Sequence, residues 1–232
     1  MLSVSRFKSA VKSRLRPDKR TYKALTWAYA FMSDPSFRRS EAKRSREFYR
    51  FAVRKDGRFP AEVLHLASLL PTCLLDAVVE KWHPVSVLDI GCGTGRAVKY
   101  LVDKGVDCVG IEGSRATIEA SPVRDRIRCL NLNHPVSLGR QFDVVWSYEV
   151  AEHIHPKYTE AFLKTLTSHG SVVVMSAAQP GQGGYGHFNE QPSLYWIERL
   201  NRRGFSYLAD VSTHFQSLPD DYARNIMVFA RR

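Results

Sequence analysis

Hydrophobic and polar positions alternate in blocks from about residue 84 to the C-terminus. Five short runs rich in Val, Ile and Leu are predicted to be strands, and they cover residues 85–91, 106–112, 127–132, 142–147 and 170–176. Their nearly continuous apolar content is typical of strands that are covered on both faces. Between them, residues 95–105 and 156–170 show helical spacing and end at Gly105 and Gly170, which are expected to cap the helices. This alternation predicts a doubly wound α/β layer around a parallel sheet.

Further elements are predicted on both sides of this layer. Residues 60–83 are expected to form two helices that break at Pro71 and pack in front of the first strand. A Gly-rich loop and a helix over residues 191–204 follow the fifth strand. Two last strands, near 205–215 and 224–231, are joined by the short connection SLPDDYA. Such a connection favours an antiparallel hairpin at the edge of the sheet.

Charge divides the chain into a basic front and a nearly neutral body. Residues 1–58 hold 17 Lys and Arg against 5 Asp and Glu, whereas the remaining residues hold 17 against 18. A chain of 232 residues is long enough for one full core. We therefore predict a basic helical extension over residues 1–59 and a single α/β domain over residues 60–232. No apolar run approaches the roughly 20 residues that a membrane-spanning helix needs.

The cysteines indicate the compartment. Cys73, Cys92, Cys108 and Cys129 lie far apart and form no CxxC pair. This spacing favours neither a disulfide framework nor a zinc site. We therefore expect a reducing, cytoplasmic environment.

A Gly-rich turn, DIGCGTGR, follows the first predicted strand. Gly91 and Gly93 let the backbone turn tightly and approach a ligand closely. Arg96 stands where a dinucleotide-binding fingerprint has its third glycine, and a carboxylate at Asp89 would repel a pyrophosphate. The motif therefore argues for a cationic or neutral nucleoside ligand.

Together with the order of strands, this motif resembles the class I S-adenosylmethionine-dependent methyltransferases over about residues 84–232. The resemblance implies a mostly parallel seven-stranded sheet with one reversed strand, and S-adenosyl-L-methionine as the cofactor. The cofactor-binding positions that it implies lie at the first four strand ends and are Asp89, Gly91, Gly93, Glu112, Asn131, Leu132 and Ser147. Glu112 would bind the ribose hydroxyls, and Asn131 and Leu132 would lie beside the adenine. The alternative is that the polar residues only cap strand ends.

Acidic and imidazole side chains cluster just after the fourth predicted strand. Glu149, Glu152 and His153 have the spacing that places residues on one face of a helical turn. Their EVAEH pattern resembles that of the ubiquinone O-methyltransferases and of the methyltransferases of small-RNA 3′ ends. In both, the resemblance implies a divalent-cation site, and the small-RNA enzymes add a His from a later loop, which would make His187 the fourth ligand here. Carboxylate and imidazole ligands suit Mg²⁺, Mn²⁺ or Fe²⁺, and zinc stays open. Two alternatives stay open: a metal-free site with Glu152 or His153 as general base, and a purely structural role.

The Gly-rich loop PGQGGYGHFN precedes the last predicted helix. Beside the expected cleft it brings four polar side chains: His187, Asn189, Glu190 and Gln191. The segment resembles one found in methyltransferases of sugar and polysaccharide assembly, which implies a hydroxyl-rich acceptor. The alternative is a solvated loop whose Asn and Gln cap the next helix.

Three uses compete for the basic front. Its aromatic residues, Trp27, Phe31, Phe48 and Tyr49, favour a helical lid over the acceptor cleft, with an outer face that attracts anions. The same charge suits RNA or peripheral contact with an anionic membrane surface. Because the first 16 residues lack acids and are rich in Ser and Arg, an organelle-targeting segment is the third use.

These observations predict an enzyme. We expect S-adenosylmethionine-dependent methyl transfer to a hydroxyl of a small polar or sugar-like acceptor, such as a glycan, with a divalent cation assisting if it is bound. The alternatives are an RNA methyltransferase that uses the basic front, and a cofactor-binding adaptor without turnover.

Overall fold

A computed structural model describes residues 69–184 and 186–232. The predicted basic extension with its lid, and the first of the two helices predicted within 60–83, lie outside these residues. Within them the helices are α1 (Thr72–Trp82), α2 (Arg96–Asp103), α3 (Arg115–Glu119), α4 (Thr159–Ser168), α5 (Ser193–Asn201) and α6 (Ala209–Gln216). The strands are β1 (Ser86–Ile90), β2 (Asp107–Glu112), β3 (Ile127–Cys129), β4 (Phe142–Ser147), β5 (Gly170–Ser176), β6 (Phe205–Tyr207) and β7 (Ile226–Arg231).

The strands form one sheet in the order β3-β2-β1-β4-β5-β7-β6. Neighbouring strands from β3 to β5 are parallel, whereas β7 runs antiparallel to both β5 and β6. The predicted doubly wound, mostly parallel seven-stranded sheet is thus confirmed. The direction of winding reverses between β1 and β4, and open α/β sheets bind ligands outside the carboxyl ends of the strands at such a point.

Helices cover both faces of the sheet. β1 is buried along its whole length, and its successive side chains point to opposite faces. Val87 joins a core cluster that includes Phe215 of α6, with α1 and α2 on the same face. Leu88 joins the other cluster, with Phe162 of α4 and Trp196 of α5. This double cover explains the continuous apolar runs, because each fully buried aliphatic side chain contributes about 1.5–3 kcal/mol.

The C-terminal hairpin is only partly as predicted, because its first strand, expected near 205–215, is wrong beyond Tyr207. β6 ends at Tyr207, and residues predicted to continue the strand instead form α6. The buried side chains of Ser212 and Phe215 are three positions apart, which is helical spacing. The Ser212 hydroxyl also accepts a hydrogen bond from the Val228 amide at 3.0 Å, which attaches α6 to β7. The antiparallel pairing of the last two strands survives, with Phe205 opposite Arg231.

Two smaller expectations also fail. Gly170 does not cap α4 but begins β5, where a Cβ would lie 2.8 Å from the Phe142 carbonyl oxygen of the neighbouring strand. The glycine therefore permits close strand pairing. β3 ends at Cys129 rather than at residue 132, so Asn131 and Leu132 lie in the turn beyond it. Among the helices of residues 69–184 and 186–232, none has the length and apolarity required to traverse a bilayer.

Candidate active site

The glycine turn after β1 carries the chain into α2. Gly91, Gly93 and Gly95 have φ values of 80°, 56° and 73°, in the region that favours glycine. The Gly91 amide donates to the Ile111 carbonyl at 2.9 Å and so attaches the turn to β2. A Cβ at Gly91 would lie 2.6 Å from two carbons of the Val150 side chain. The turn and the segment after β4 are therefore in a contact that only glycine allows.

Two carboxylates flank the glycine turn. Glu112, at the end of β2, accepts hydrogen bonds from the amides of Gly93 at 3.1 Å and Ser114 at 2.8 Å. Asp89 is buried in β1, and burial together with the charge of Glu112 raises its pKa to about 7. Burial also raises the pKa of Glu112. Burial removes the water that would stabilise the charged form of each acid. A nearby cationic ligand would replace part of that stabilisation and so favour the ionised forms.

The remaining predicted cofactor residues make local contacts. The Asn131 side chain is exposed, and its Oδ1 accepts a hydrogen bond from the Asn133 amide at 3.0 Å. Leu132 is buried in the core cluster under α4 and α5. The buried Ser147 hydroxyl donates to the Ile90 carbonyl at 3.0 Å and joins the ends of β1 and β4. Of the three residues, only Ser147 joins two strand ends, and the roles of all three toward a cofactor stay predictions.

Glu149 does not share a helical face with Glu152 and His153, so that expectation is wrong. Its backbone is left-handed, with φ of 53°, and the following turn is a 3₁₀ helix over Ala151–His153. The Glu149 amide donates to the Ser176 hydroxyl at 2.7 Å, which fixes this bend against the end of β5. A bend pinned by a neighbouring strand replaces the helix that the spacing predicts.

The Glu149 carboxylate is held by two amide side chains from distant segments. Oε1 accepts from Asn225 Nδ2 at 3.1 Å, and Oε2 accepts from Gln182 Nε2 at 3.1 Å. Asn225 Nδ2 also donates to Gln182 Oε1 at 3.0 Å, which closes a triangle. Burial raises the pKa of Glu149, while these hydrogen bonds oppose the rise. No local motif marks either amide as a partner, because Asn225 and Gln182 lie 76 and 33 positions from Glu149 along the chain.

Glu152, His153 and His187 come together, as the sequence predicts. One ligand-type atom of each lies within 4.8 Å of the others, the geometry of a group that can hold a metal ion. Glu152 is completely buried, and neither of its carboxylate oxygens has a partner with hydrogen-bond geometry among the described residues. His187 Nε2 lies 4.0 Å from Glu152 Oε1, and the two imidazoles meet edge to face at 4.9 Å.

Burial controls the charges of this group. It raises the pKa of Glu152 well above the ordinary value, and the nearby Glu149 adds to the rise. The amides of Glu152 itself and of Ala178 oppose the rise electrostatically, although they do not reach hydrogen-bond geometry. Burial and the neighbouring His187 lower the pKa of His153. A buried carboxyl with a raised pKa holds a proton more tightly than usual, and a cation bound beside it would favour its ionised form.

The Gly-rich loop is attached to this group through its backbone and its polar side chains. The amides of Phe188 and Asn189 both donate to the Glu152 carbonyl, at 2.9 and 3.0 Å. Asn189 Nδ2 donates to the Thr159 hydroxyl, and Gln191 donates to Asn189, so both residues secure the loop to the start of α4. Neither side chain caps α5, which begins after Pro192 without a side-chain cap.

Comparison with known proteins identifies the family of the chain. A family model described as a methyltransferase domain matches residues 27–227. The chloroplastic tocopherol O-methyltransferase of Arabidopsis thaliana is 27% identical over 104 residues, covering 39% of this chain and 29% of that protein. The ubiquinone biosynthesis O-methyltransferase of Pelagibacter ubique is 29% identical over 77 residues, covering 31% of this chain and 32% of that protein. The chain thus matches less than a third of the length of either relative.

A solved structure shows the same fold. The sugar N-methyltransferase KedS8 from Streptoalloteichus superposes with a TM-score of 0.52 at 19% identity, covering 69% of this chain and 85% of that one. The glycine turn after β1 and the sheet with a reversed β7 define the class I fold of S-adenosylmethionine-dependent methyltransferases. The family match extends over most of the sequence, and the chain belongs to the methyltransferase domain family.

Proposed function

We propose that the protein transfers a methyl group from S-adenosyl-L-methionine to a hydroxyl of a small polar or sugar-like acceptor. The observation that carries this proposal is the group of Glu152, His153 and His187 beside the glycine turn. Val150, two residues before Glu152, packs directly against Gly91. Groups that can take up a proton thus follow closely in the chain on a residue that packs against the proposed cofactor loop.

The cofactor side supplies recognition. Asp89 and Glu112 place two carboxyl groups beside the turn, and because burial raises the pKa of both, a sulfonium cation would favour their ionised forms where a neutral thioether would not. The glycines at 91 and 93 leave space for close approach of the ligand to the backbone. Asn131, Leu132 and Ser147 complete the proposed cofactor set at the neighbouring strand ends.

The acceptor side supplies a place for the proton. In the reaction the acceptor oxygen forms a bond to the methyl carbon while the carbon–sulfur bond breaks, and S-adenosylhomocysteine leaves as a neutral thioether. The hydroxyl proton must go to a base, and Glu152 or one of the two imidazoles lies within the group that can receive it. Holding both reactants in line provides a further large part of the rate enhancement.

A divalent cation fits the same side chains. The buried carboxylate of Glu152, which has no hydrogen-bond partner among the described residues, and the two imidazoles form a donor set of one oxygen and two nitrogen ligands, which suits Mn²⁺ or Fe²⁺ better than Mg²⁺. Glu152, His153 and His187 would hold the ion, which would lower the pKa of a bound hydroxyl. Glu149 is instead engaged by Asn225 and Gln182, and its predicted place among the ligands requires its carboxylate to leave them.

RNA is the second candidate acceptor. The excess of 17 basic over 5 acidic residues in residues 1–58 favours it, because such a segment attracts phosphates. The same charge would support peripheral contact with an anionic membrane. Cytoplasmic placement remains a prediction from the spacing of the cysteines.

The test is methyl transfer by the full chain with radiolabelled S-adenosylmethionine. Glycosides with free hydroxyls, catechols and a short single-stranded RNA are offered in parallel, with and without EDTA. Label in a hydroxylated small molecule supports the proposal, and label in RNA alone replaces it with the second candidate. Activity that survives exhaustive chelation assigns the proton to a metal-free base. Cofactor binding without transfer to any fraction of a cell extract would identify an adaptor.

A further inference from the structure

Glu190, which directly follows the Gly-rich loop, holds the loop together through its carboxylate. Its Oε2 accepts a hydrogen bond from the Gly181 amide at 2.8 Å, and its Oε1 accepts from the Gly183 amide at 2.6 Å. The same Oε1 lies 2.8 Å from His187 Nδ1. One side chain therefore connects both ends of the loop to a residue of the candidate active site.

The hydrogen bonds of Glu190 determine which ring nitrogen of His187 holds the proton. Both carboxylate oxygens already accept from backbone N–H groups of the loop, at Gly181 and Gly183, and Oε1 faces His187 Nδ1. An ionised carboxylate can only accept hydrogen bonds. In the neutral imidazole, His187 Nδ1 must then hold the proton, and Nε2 presents its lone pair. That nitrogen is the one 4.0 Å from Glu152 Oε1.

Gly184 leaves the space that the imidazole ring of His187 occupies. A Cβ at position 184 would lie 2.1, 2.3 and 2.5 Å from three atoms of the His187 imidazole. Real Cβ atoms do not approach other heavy atoms so closely, so any other residue would push the ring away. The absence of a side chain at Gly184 and the carboxylate of Glu190 thus restrain the ring from two directions.

We propose that Glu190 is a positioning residue, which fixes the tautomer and orientation of His187 so that Nε2 faces Glu152. A carboxylate that holds the far nitrogen of an imidazole is a common way to present the other nitrogen as base or ligand. Only the use to which Nε2 is put rests on the proposed function. The tautomer itself is a property of the folded chain and can be measured without cofactor or acceptor.

The experiment is long-range proton–nitrogen NMR of the full chain with labelled histidines at pH 8, above the ordinary imidazole pKa of about 6.5. His187 is assigned by the loss of its signals in His187→Asn. We expect wild-type His187 in the Nδ1–H form and Glu190→Gln with a mixture that includes Nε2–H, since an amide can donate as well as accept. Glu198→Gln, an exposed glutamate on α5, is the matched control and should leave the spectrum unchanged.

His169 reports whether each variant is folded. It is buried, its Nδ1 lies 2.8 Å from the Thr165 carbonyl and its Nε2 accepts from the Leu138 amide at 3.1 Å, which fixes the Nδ1–H form. If Glu190→Gln loses these signals, Gly184→Ala becomes the test, and it should shift the His187 resonances while those of His169 stay. Wild-type His187 in the Nε2–H form, or an unchanged tautomer in folded Glu190→Gln, would overturn the proposal.

Activity adds a second readout once an acceptor is known. We expect Glu190→Gln to lower kcat about 10- to 100-fold, with little change in KM for S-adenosylmethionine, because Glu190 acts through His187. Failure of methyl transfer in the wild type would contradict the proposed function and leave the NMR result standing.

Discussion

The carboxyl ends of the strands form two regions, one at β1 and β2 and one beyond β4. These two halves of the site differ in the hydrogen bonds that their carboxylates receive. At β1 and β2, Glu112 receives hydrogen bonds from two backbone amides, that of Gly93 in the glycine turn and that of Ser114 just after β2. Beyond β4, Glu152 is buried deeper and receives none with hydrogen-bond geometry among the described residues. Burying such a group costs several kcal/mol unless it is neutralised. In the first half the protein itself supplies the hydrogen bonds that hold the carboxylate in place. In the second half the buried carboxylate needs a proton or a bound cation to offset its charge.

The largest expected effect comes from removing the unsatisfied carboxylate. Glu152→Gln should lower methyl transfer about 10²–10⁴-fold, the range for loss of a general base, and leave cofactor affinity unchanged. Measured kcat and calorimetric binding of S-adenosylhomocysteine separate the two effects, with Glu198→Gln as the control. Turnover close to wild type would remove Glu152 from the chemistry.

The pH dependence of the free energy of unfolding tests whether Asp89 is buried with a raised pKa beside the glycine turn. Because the folded pKa of Asp89, about 7, exceeds the ordinary 3.8, the folded chain keeps a proton that the unfolded chain has released. Stability from this group is complete below the ordinary pKa and is lost as pH rises to about 7, by about 2–4 kcal/mol. Urea unfolding between pH 5 and 8 measures it. Asp89→Asn should flatten the slope over this window, and an identical slope in the variant would refute the assignment.

Contact between the two halves can be isolated with two glycines. Gly91 and Gly105 both have left-handed backbones, with φ of 80° and 83°. A Cβ at Gly91 would meet Val150, whereas at Gly105 no atom of the described residues lies within 4 Å. Gly91→Ala should therefore destabilise the protein by about 1–3 kcal/mol more than Gly105→Ala, the usual cost of overpacking. Equal losses in urea unfolding would show that the halves are not coupled through Val150.

The smallest expected effect concerns the amides that hold Glu149. Asn225→Ala should lower the free energy of unfolding by about 1–2 kcal/mol, since Glu149 and Gln182 lose a buried donor. Gln182→Ala removes the other donor to Glu149. Since the three side chains share contacts, the double variant should lose less than the sum of the single variants. Strict additivity would mean that the triangle does not act as a unit.

The features that can be predicted from the sequence are those determined by residues that are neighbours along the chain. The buried strands and the glycine turn fall in this class, because apolar runs and glycines at 91 and 93 specify local backbone directly. The helix at 209–216 is not predictable from the sequence in the same way, because so short a segment has too few apolar residues for their spacing to distinguish a helix from a strand. The bend at Glu149 depends on Ser176, and the hold on its carboxylate depends on Asn225, 76 positions away. Such contacts exist only after the sheet has formed.

Calorimetric titration of the full chain with S-adenosylhomocysteine tests the central claim, that the glycine turn and its flanking acids bind the cofactor. The account predicts saturable binding at one site, weakened by Glu112→Ala and retained in Glu152→Gln. Absence of binding by folded protein, or binding that Glu112→Ala leaves unchanged, would contradict it.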